Sequence, residues 1–260
     1  MGDLLSDRHG QVLELTLSNP GYRNALSPEI YLAGRQAFEQ AHEDPSVRAV
    51  LLHGADGIFC AGGNLNRLKG NRQLDPEVQR QSIDGLHGWI QAMRRCSKPI
   101  VAAVEGAAAG AGFSLVLACD LVVAADDAKF VMSYARVGLS PDGGAIAALA
   151  AALAPQQAFA ALALAEPLGP QALTQAGIVH AESAPGQTLV QARELCERLA
   201  GGPTAVYGRI KRLLAGAAGR DLAEHLALER DAFVESLFGH DADEGIAAFL
   251  AKRPARFQGT

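Results

Sequence analysis

An α/β fold with a helical C-terminal region is what this 260-residue sequence predicts, and three observations carry that prediction. Short apolar strands alternate with helical stretches over the first half of the chain, as expected for sheets covered by helices. Glycine and proline turn signals separate the segments. Beyond Pro203 the strand pattern stops and amphipathic helical stretches take over.

Each element follows from local chemistry. Residues 11–18 alternate Val12, Glu14 and Thr16 with Leu13, Leu15 and Leu17, the two-residue period of a strand. Asn19-Pro20-Gly21 ends it in a turn. Ser27 before Pro28 and Glu29 is an N-cap with proline at the first helical position, so a helix is predicted over 28–43. Ile30, Ala33, Ala37 and Phe38 lie near one face of it, and Asp44-Pro45 closes it. Residues 47–53 are apolar and too short for a globular helix, which predicts a strand ending at Gly54. After the stretch GIFCAGGNL (57–65), a polar helical region runs to about residue 96. Strands are predicted at 100–104 and 121–124, with a glycine-opened helix between them. Helices are predicted over 204–219, 221–238 and about 242–251.

Composition narrows the function. Lys plus Arg number 23 against 28 Asp plus Glu, giving a net charge of −5. That mild acidity, with no basic tract, argues against a protein built to grip a nucleic-acid backbone, but leaves open a phosphate-bearing small molecule. The chain is 49% hydrophobic but 5% aromatic, and it holds 49 alanines and 28 glycines, so its apolar content is mostly small side chains. The four cysteines form no CxxC pair or Cys/His cluster, so free thiols in a reducing compartment and no metal site are expected. The start MGDLLSDRHG lacks the regions of a secretory signal, and a cytoplasmic protein is the expectation. The low-charge runs 99–119 and 143–165 are broken by Glu105, by glycines and by Pro155-Gln156-Gln157, and read as buried elements of a soluble protein.

Two loops carry the chemistry. FCAGGNL (59–65) and EGAAAGAGFS (105–114) each bring small residues from a strand into a helix start. Small side chains let a ligand approach the backbone, and the free amides of a first helical turn stabilise negative charge. Facing one another, the loops would form an oxyanion hole with one amide from each; close packing alone also explains their composition. Neither matches a GxxxxGK[ST] or GxGxxG phosphate loop.

With NPGYRNAL (19–26), KPIVAAVEGAAAGAGF (98–113), ACD (118–120) and GLSPDGG (138–144), these stretches resemble the crotonase family, the enoyl-CoA hydratase/isomerase group, in order and spacing. IKRL (210–213) and KRPARF (252–257) extend the likeness to the C-terminus. The resemblance implies a crotonase-like spiral of ββα units in a catalytic core of residues 1–200. It also implies a helical trimerisation region over 201–260, assembled as a homotrimer or a homohexamer built as a dimer of trimers. A coenzyme A thioester is the implied substrate, with no permanently bound cofactor. The implied oxyanion amides map to Gly63 and Ala111. Arg23, Ala25, Ala61 and Leu65 fall in the implied coenzyme A region, where Arg23 would meet a phosphate.

At the acid/base positions the chain departs from the hydratases of that family. Ser114 and Tyr134 stand where those enzymes carry two glutamates, and a hydroxyl is a poor general base near neutral pH. Asp142 matches the position of the single carboxylate in the family's enoyl-CoA isomerases and phenylacetate-pathway isomerases, and of a nucleophile in a dehalogenase branch. The expectation is therefore an acyl-CoA isomerase with Asp142 as base. The alternatives are a 2-enoyl-CoA hydratase that draws a nonstandard group from residues 66–90, or a coenzyme A-binding protein with a degenerate site. By pattern alone Asp142 is also an N-cap, Ser114 a cap or packing residue, and Tyr134 a pocket-lining or hydrogen-bonding residue. Asn64 is expected to tie down its loop, and Glu105, His53 and His87 to be structural. Trp89 and Met93 are expected to shape an acyl pocket or to pack.

Overall fold

The computed structural model describes residues 2–260. It opens with an antiparallel pair, β1 (Asp3–His9) and β2 (Val12–Ser18). The sequence reading does not include β1, whose residues DLLSDRH are mostly polar. It is an edge strand bonded on one side only and largely exposed, so it needs no apolar face. Next come α1 (Pro28–Glu43), capped by Ser27, then β3 (Ala49–Gly54), α2 (Leu65–Asn71) and α3 (Pro76–Arg95). Two helices thus fill the predicted polar helical region, because Asp75 and Pro76 start a new one. The order continues β4 (Ile100–Val104), β5 (Ala107–Ala109), α4 (Ala111–Ala118), β6 (Leu121–Ala125) and β7 (Lys129–Val131). After a 3₁₀ turn over Ser133–Val137 come α5 (Ala145–Ala152), α6 (Pro155–Ala163), α7 (Pro170–Gln175), β8 (Ala181–Ser183) and α8 (Thr188–Ala200).

The main sheet runs β1-β2-β3-β4-β6-β8, and every pairing after the first is parallel. β5 and β7 form a second, shorter ribbon, which single bridges at Leu26–Gly63, Cys60–Ala108 and Phe130–Leu168 prolong. Each turn of chain therefore contributes a long strand, a short strand and a helix, a spiral of ββα units. The ribbon carries both glycine- and alanine-rich loops.

The alternation in β2 sorts two cores. Leu13, Leu15 and Leu17 face the main core with Phe38, Leu86, Trp89 and Met93. Trp89 and Met93 are fully buried there and pack. A Cβ on Gly34 would lie 2.3 Å from the Trp89 ring, so α1 and α3 meet at this pair only because residue 34 is glycine. Val12 turns the other way, with Leu51, Val101 and Val123, against Ala192 and Cys196 of α8.

Glu14 shares that second face and is buried. Arg193 of α8 donates to it through Nε at 2.8 Å and Nη2 at 2.6 Å, and His53 Nε2 lies 3.1 Å from Oε1. Burial is the largest influence on Glu14 and pushes its pKa up. The Arg193 hydrogen bonds and the His53 and Arg193 charges outweigh it, so the carboxyl sits below its ordinary value. A depressed folded-state pKa gives stability that is present above the ordinary Glu value, about 4.3, and lost as pH falls through the folded value. Glu14→Gln is expected to lower stability at pH 7 by about 1–2 kcal/mol, Arg193 being partly solvated, and to flatten the acid limb below pH ~4.3. Urea midpoints measured across that range check both.

The C-terminal region holds α9 (Thr204–Leu214), a 3₁₀ turn over Ala217–Gly219, α10 (Leu222–Leu237) and α11 (His240–Leu250). The helix predicted over 204–219 breaks because Gly216, at φ −116°, leaves helical geometry. Lys211 of α9 reaches Asp120 at 2.6 Å and the Lys98 carbonyl at 2.9 Å. Buried Arg48 donates to Thr204 Oγ1 and to the carbonyls of Gly202 and Phe257. Buried Asp241 accepts from the amides of Gln258 and Gly259 at 2.6 and 2.7 Å, returning the tail to the body of the chain. Among the described residues, no helix is long and apolar enough to cross a membrane.

Candidate active site

The first loop leaves β3 and enters the ribbon at Cys60. The Cys60 amide donates to the Ala107 carbonyl at 3.0 Å, and its carbonyl accepts from Ala109 at 2.8 Å. Cys60 Sγ donates to the Asn24 carbonyl at 3.0 Å. Burial pushes this thiol up to about 12, so it is a packing hub and not a nucleophile. Gly62 adopts φ +88°, and a Cβ there would lie 2.6 Å from the Ala109 oxygen and 3.4 Å from the Ala111 nitrogen. Only glycine lets the two loops approach this closely. Asn64 then caps α2, accepting from the Asn66 and Arg67 amides at 2.9 and 3.1 Å, so it ties down the loop as expected.

The second loop turns at Gly110 (φ 51°, ψ −123°), whose amide is held by the Val131 carbonyl at 2.8 Å. That turn starts α4 at Ala111. Among the described residues, neither the Gly63 nor the Ala111 amide donates to a protein acceptor. The close approach of the loops at Gly62 thus leaves an amide without a protein acceptor on each, that of Gly63 and that of Ala111 in the first turn of α4.

Asp142 is half-buried in the loop before α5. It does not cap that helix: the N-cap is Gly144, with no side-chain hydrogen bond. Instead Tyr134 Oη donates to Asp142 Oδ1 at 2.5 Å. Burial, then the charge and hydrogen bond of Asp142, push the Tyr134 phenol well above its ordinary value, so it keeps its proton. Ser114, buried in the first turn of α4, donates to the Asp142 carbonyl at 3.1 Å. The positions that lack glutamates therefore hold hydroxyls bonded to Asp142. His87 of α3 accepts from the Gly143 amide at 3.4 Å, which calls for a lone pair on Nε2 and a proton on Nδ1. The sequence points to a structural or surface role for His87; its only cue to this contact is the three-residue offset from Ile90, a residue that also packs near Gly143.

The other residues expected at the site lie on or beside the first loop. The Arg23 carbonyl accepts from the Ala61 amide at 3.0 Å, and the Leu26 amide donates to Gly62 at 2.8 Å, so residues 23–26 run alongside the first loop. Arg23 is exposed, Ala25 buried, Ala61 half-buried and Leu65 exposed at the start of α2. Arg23 and Asn24 hold left-handed conformations at φ 51° and 58°. The Asn24 side chain binds the Ala55 and Ile58 carbonyls at 2.9 and 2.7 Å, which fixes this kink. Glu105 turns away to hold the Gly186 and Thr188 amides before α8, and His53 is engaged by Thr16 and Glu14; both are structural here. Among the described residues, no group of three or more His, Cys, Asp or Glu could hold a metal ion.

The Enoyl-CoA hydratase/isomerase family profile matches residues 7–260. The chain is 34% identical to the 1,2-epoxyphenylacetyl-CoA isomerase of Escherichia coli, over 98% of each chain. It is 31% identical to the 2,3-dehydroadipyl-CoA hydratase of the same organism over the full length of both. Among solved structures, an enoyl-CoA hydratase from Polaromonas sp. JS666 superposes with a TM-score of 0.96 at 49% identity, covering 98% of this chain and 99% of the other.

Proposed function

The chain belongs to the enoyl-CoA hydratase/isomerase family of enzymes, which act on acyl-CoA thioesters, and from that premise we propose that it is an acyl-CoA isomerase. One observation carries this reading: Ser114 of α4 holds the Asp142 backbone carbonyl and Tyr134 holds its carboxylate, so the hydroxyls at both neighbouring acid/base positions are bound to this one carboxylate-bearing residue. A double-bond shift needs one base. Asp142 takes a proton from C2 of a 3-enoyl-CoA, and the C–H electron pair enters a dienolate whose oxygen lies between the Gly63 and Ala111 amides. Asp142 then returns a proton to C4, leaving the 2-enoyl-CoA and a regenerated carboxylate. Arg23, Ala25, Ala61 and Leu65 form the coenzyme A rim, with Arg23 on a phosphate. The isomerase among the relatives supports an epoxide-rearranging version of the same chemistry.

A second reading has its own support. His87, on α3 within residues 66–90, is a second titratable group beside the Asp142 loop, and water addition needs two such groups. A panel of 3-enoyl-, 2-enoyl- and epoxyacyl-CoA thioesters separates the readings. Conversion of 3-enoyl- to 2-enoyl-CoA supports the isomerase; hydration of 2-enoyl-CoA without isomerisation overturns it.

Residues 1–200 are the catalytic core in this proposal and 201–260 the assembly region of a homotrimer or homohexamer. In the single chain α10, the Phe238 that follows it, and α11 expose Phe233, Phe238 (84%), Phe249 (83%) and Leu250, a run of large exposed apolar side chains of the kind that marks a protein–protein contact. Light scattering is expected to give three or six times the chain mass, and Phe238→Asp with Phe249→Asp to reduce it to that of one chain. A monomeric parent would remove this part of the proposal.

A further inference from the structure

We propose that Tyr134 is a positioning residue that anchors one oxygen of Asp142, so that the other oxygen alone carries the proton between C2 and C4. The inference rests on the isomerase reading. Its basis is the unequal setting of the two carboxylate oxygens: Oδ1 accepts from Tyr134 Oη at 2.5 Å, and Oδ2 has no protein donor among the described residues.

The backbone beneath the carboxylate is fixed as well. Ser114 Oγ holds the Asp142 carbonyl at 3.1 Å, and the next amide, that of Gly143, points to His87 Nε2 at 3.4 Å. Gly143 sits at φ +66°, where a Cβ would lie 2.7 Å from Ser114 Cβ and 3.1 Å from Ile90 Cδ1, so this loop is wedged between α3 and α4. With the main chain held by Ser114 and His87, the remaining freedom of Asp142 is rotation about its two side-chain bonds, and the Tyr134 hydrogen bond restrains both. A phenol buried beside a carboxylate keeps its proton and stays a donor throughout the cycle. The positions that lack glutamates therefore act through Asp142.

The chemical consequence is a single-oxygen shuttle. The C2–H bond breaks, the proton passes to Oδ2, and the electron pair enters the dienolate. Oδ2–H then delivers the same proton to C4 while the C2–C3 double bond forms, on one face of the acyl chain. A rotating carboxylate would instead present the proton to solvent between the two transfers.

The test uses 3-enoyl-CoA deuterated at C2, with the parent enzyme, Tyr134→Phe, Asp142→Asn and the double variant. In Tyr134→Phe, kcat is expected to fall about tenfold to a hundredfold, as for loss of a hydrogen bond to a charged group, with KM unchanged. The fraction of deuterium reaching C4 falls with it, and Tyr134→Phe adds nothing in the Asp142→Asn background. Parent-like kcat and label transfer in a folded Tyr134→Phe protein would overturn the proposal, as would full multiplication of the two effects. Failure of the isomerase reading looks different, because then the parent fails to isomerise or Asp142→Asn equals it. The infrared carboxylate bands of Asp142, isolated by subtracting the Asp142→Asn spectrum, decide the anchoring itself. A band shift in Tyr134→Phe supports it and identical bands reject it, whatever the reaction.

Discussion

Asp142→Asn is expected to lower kcat for 3-enoyl-CoA isomerisation by about a thousandfold, the middle of the range for removing a positioned general acid/base. Asparagine keeps the shape of the side chain and an oxygen acceptor for Tyr134, so the contacts that hold the loop survive. What it removes is the group proposed to take the proton from C2. The Gly63 and Ala111 amides and the proposed coenzyme A contacts are untouched, so KM should move little. A large drop in kcat at nearly constant KM marks an interaction used in the transition state and not in ground-state binding. Steady-state kinetics on the purified variant, with a urea transition to show that it is folded, give the answer. Turnover equal to the parent would remove Asp142 from the mechanism and shift attention to His87.

Much of the fold is legible locally. Caps, turn residues and the two-residue period of β2 lead to the main-sheet strands and the helices between residues 11 and 125, because those signals act over a few neighbouring positions, but not to the three-residue strands β5 and β7 or to the break between α2 and α3. β1 is not legible, since its stability comes from pairing with β2 and its residues carry no apolar face of their own. The Glu14 face of β2 is misleading in a different way. Its polar residues alternate as though for solvent, yet they lie under α8, where Arg193 arrives from far along the chain.

The candidate site divides along the same line. The two loops that carry Gly63 and Ala111 are legible because their close approach at Gly62 needs small residues, and small residues leave a visible run of glycine and alanine. The Tyr134–Asp142 bond is not. It spans a 3₁₀ turn and a loop with left-handed glycines at 138 and 143, geometry that residue types alone do not specify. His87 meets Gly143 across a sequence separation of 56 residues, and only the packing of α3 beside α4 makes that contact. The N-cap reading of Asp142 failed for a related reason. The local pattern is compatible with a cap, but the buried phenol offers the carboxylate a donor, and the cap position falls two residues later, at Gly144, with α5 beginning at Ala145.

The proposed oxyanion role of the Ala111 amide is testable by a substitution that deletes an N–H without deleting a side chain. Ala111→Pro is expected to lower kcat by about a hundredfold to a thousandfold, the effect of losing one oxyanion donor. The position suits proline. Ala111 is the first residue of α4, its amide has no protein acceptor, and proline is well tolerated at a first helical position. Gly110, the residue before it, has no Cβ to strike the ring. Stability should therefore change little while turnover collapses, the reverse of what Gly112→Val would do by driving a side chain into Cys60, already 2.7 Å from a Cβ at that position. Ala111→Gly is the matched control: it keeps the amide and removes only a methyl group, so its kcat should stay close to the parent value. A folded Ala111→Pro enzyme with parental kcat would mean that this amide does not face the developing charge. If both Ala111→Pro and Asp142→Asn are slow, their combination should fall by less than the product of the two effects. In the proposed mechanism the amide stabilises the dienolate that Asp142 creates, and groups that serve one intermediate are not independent.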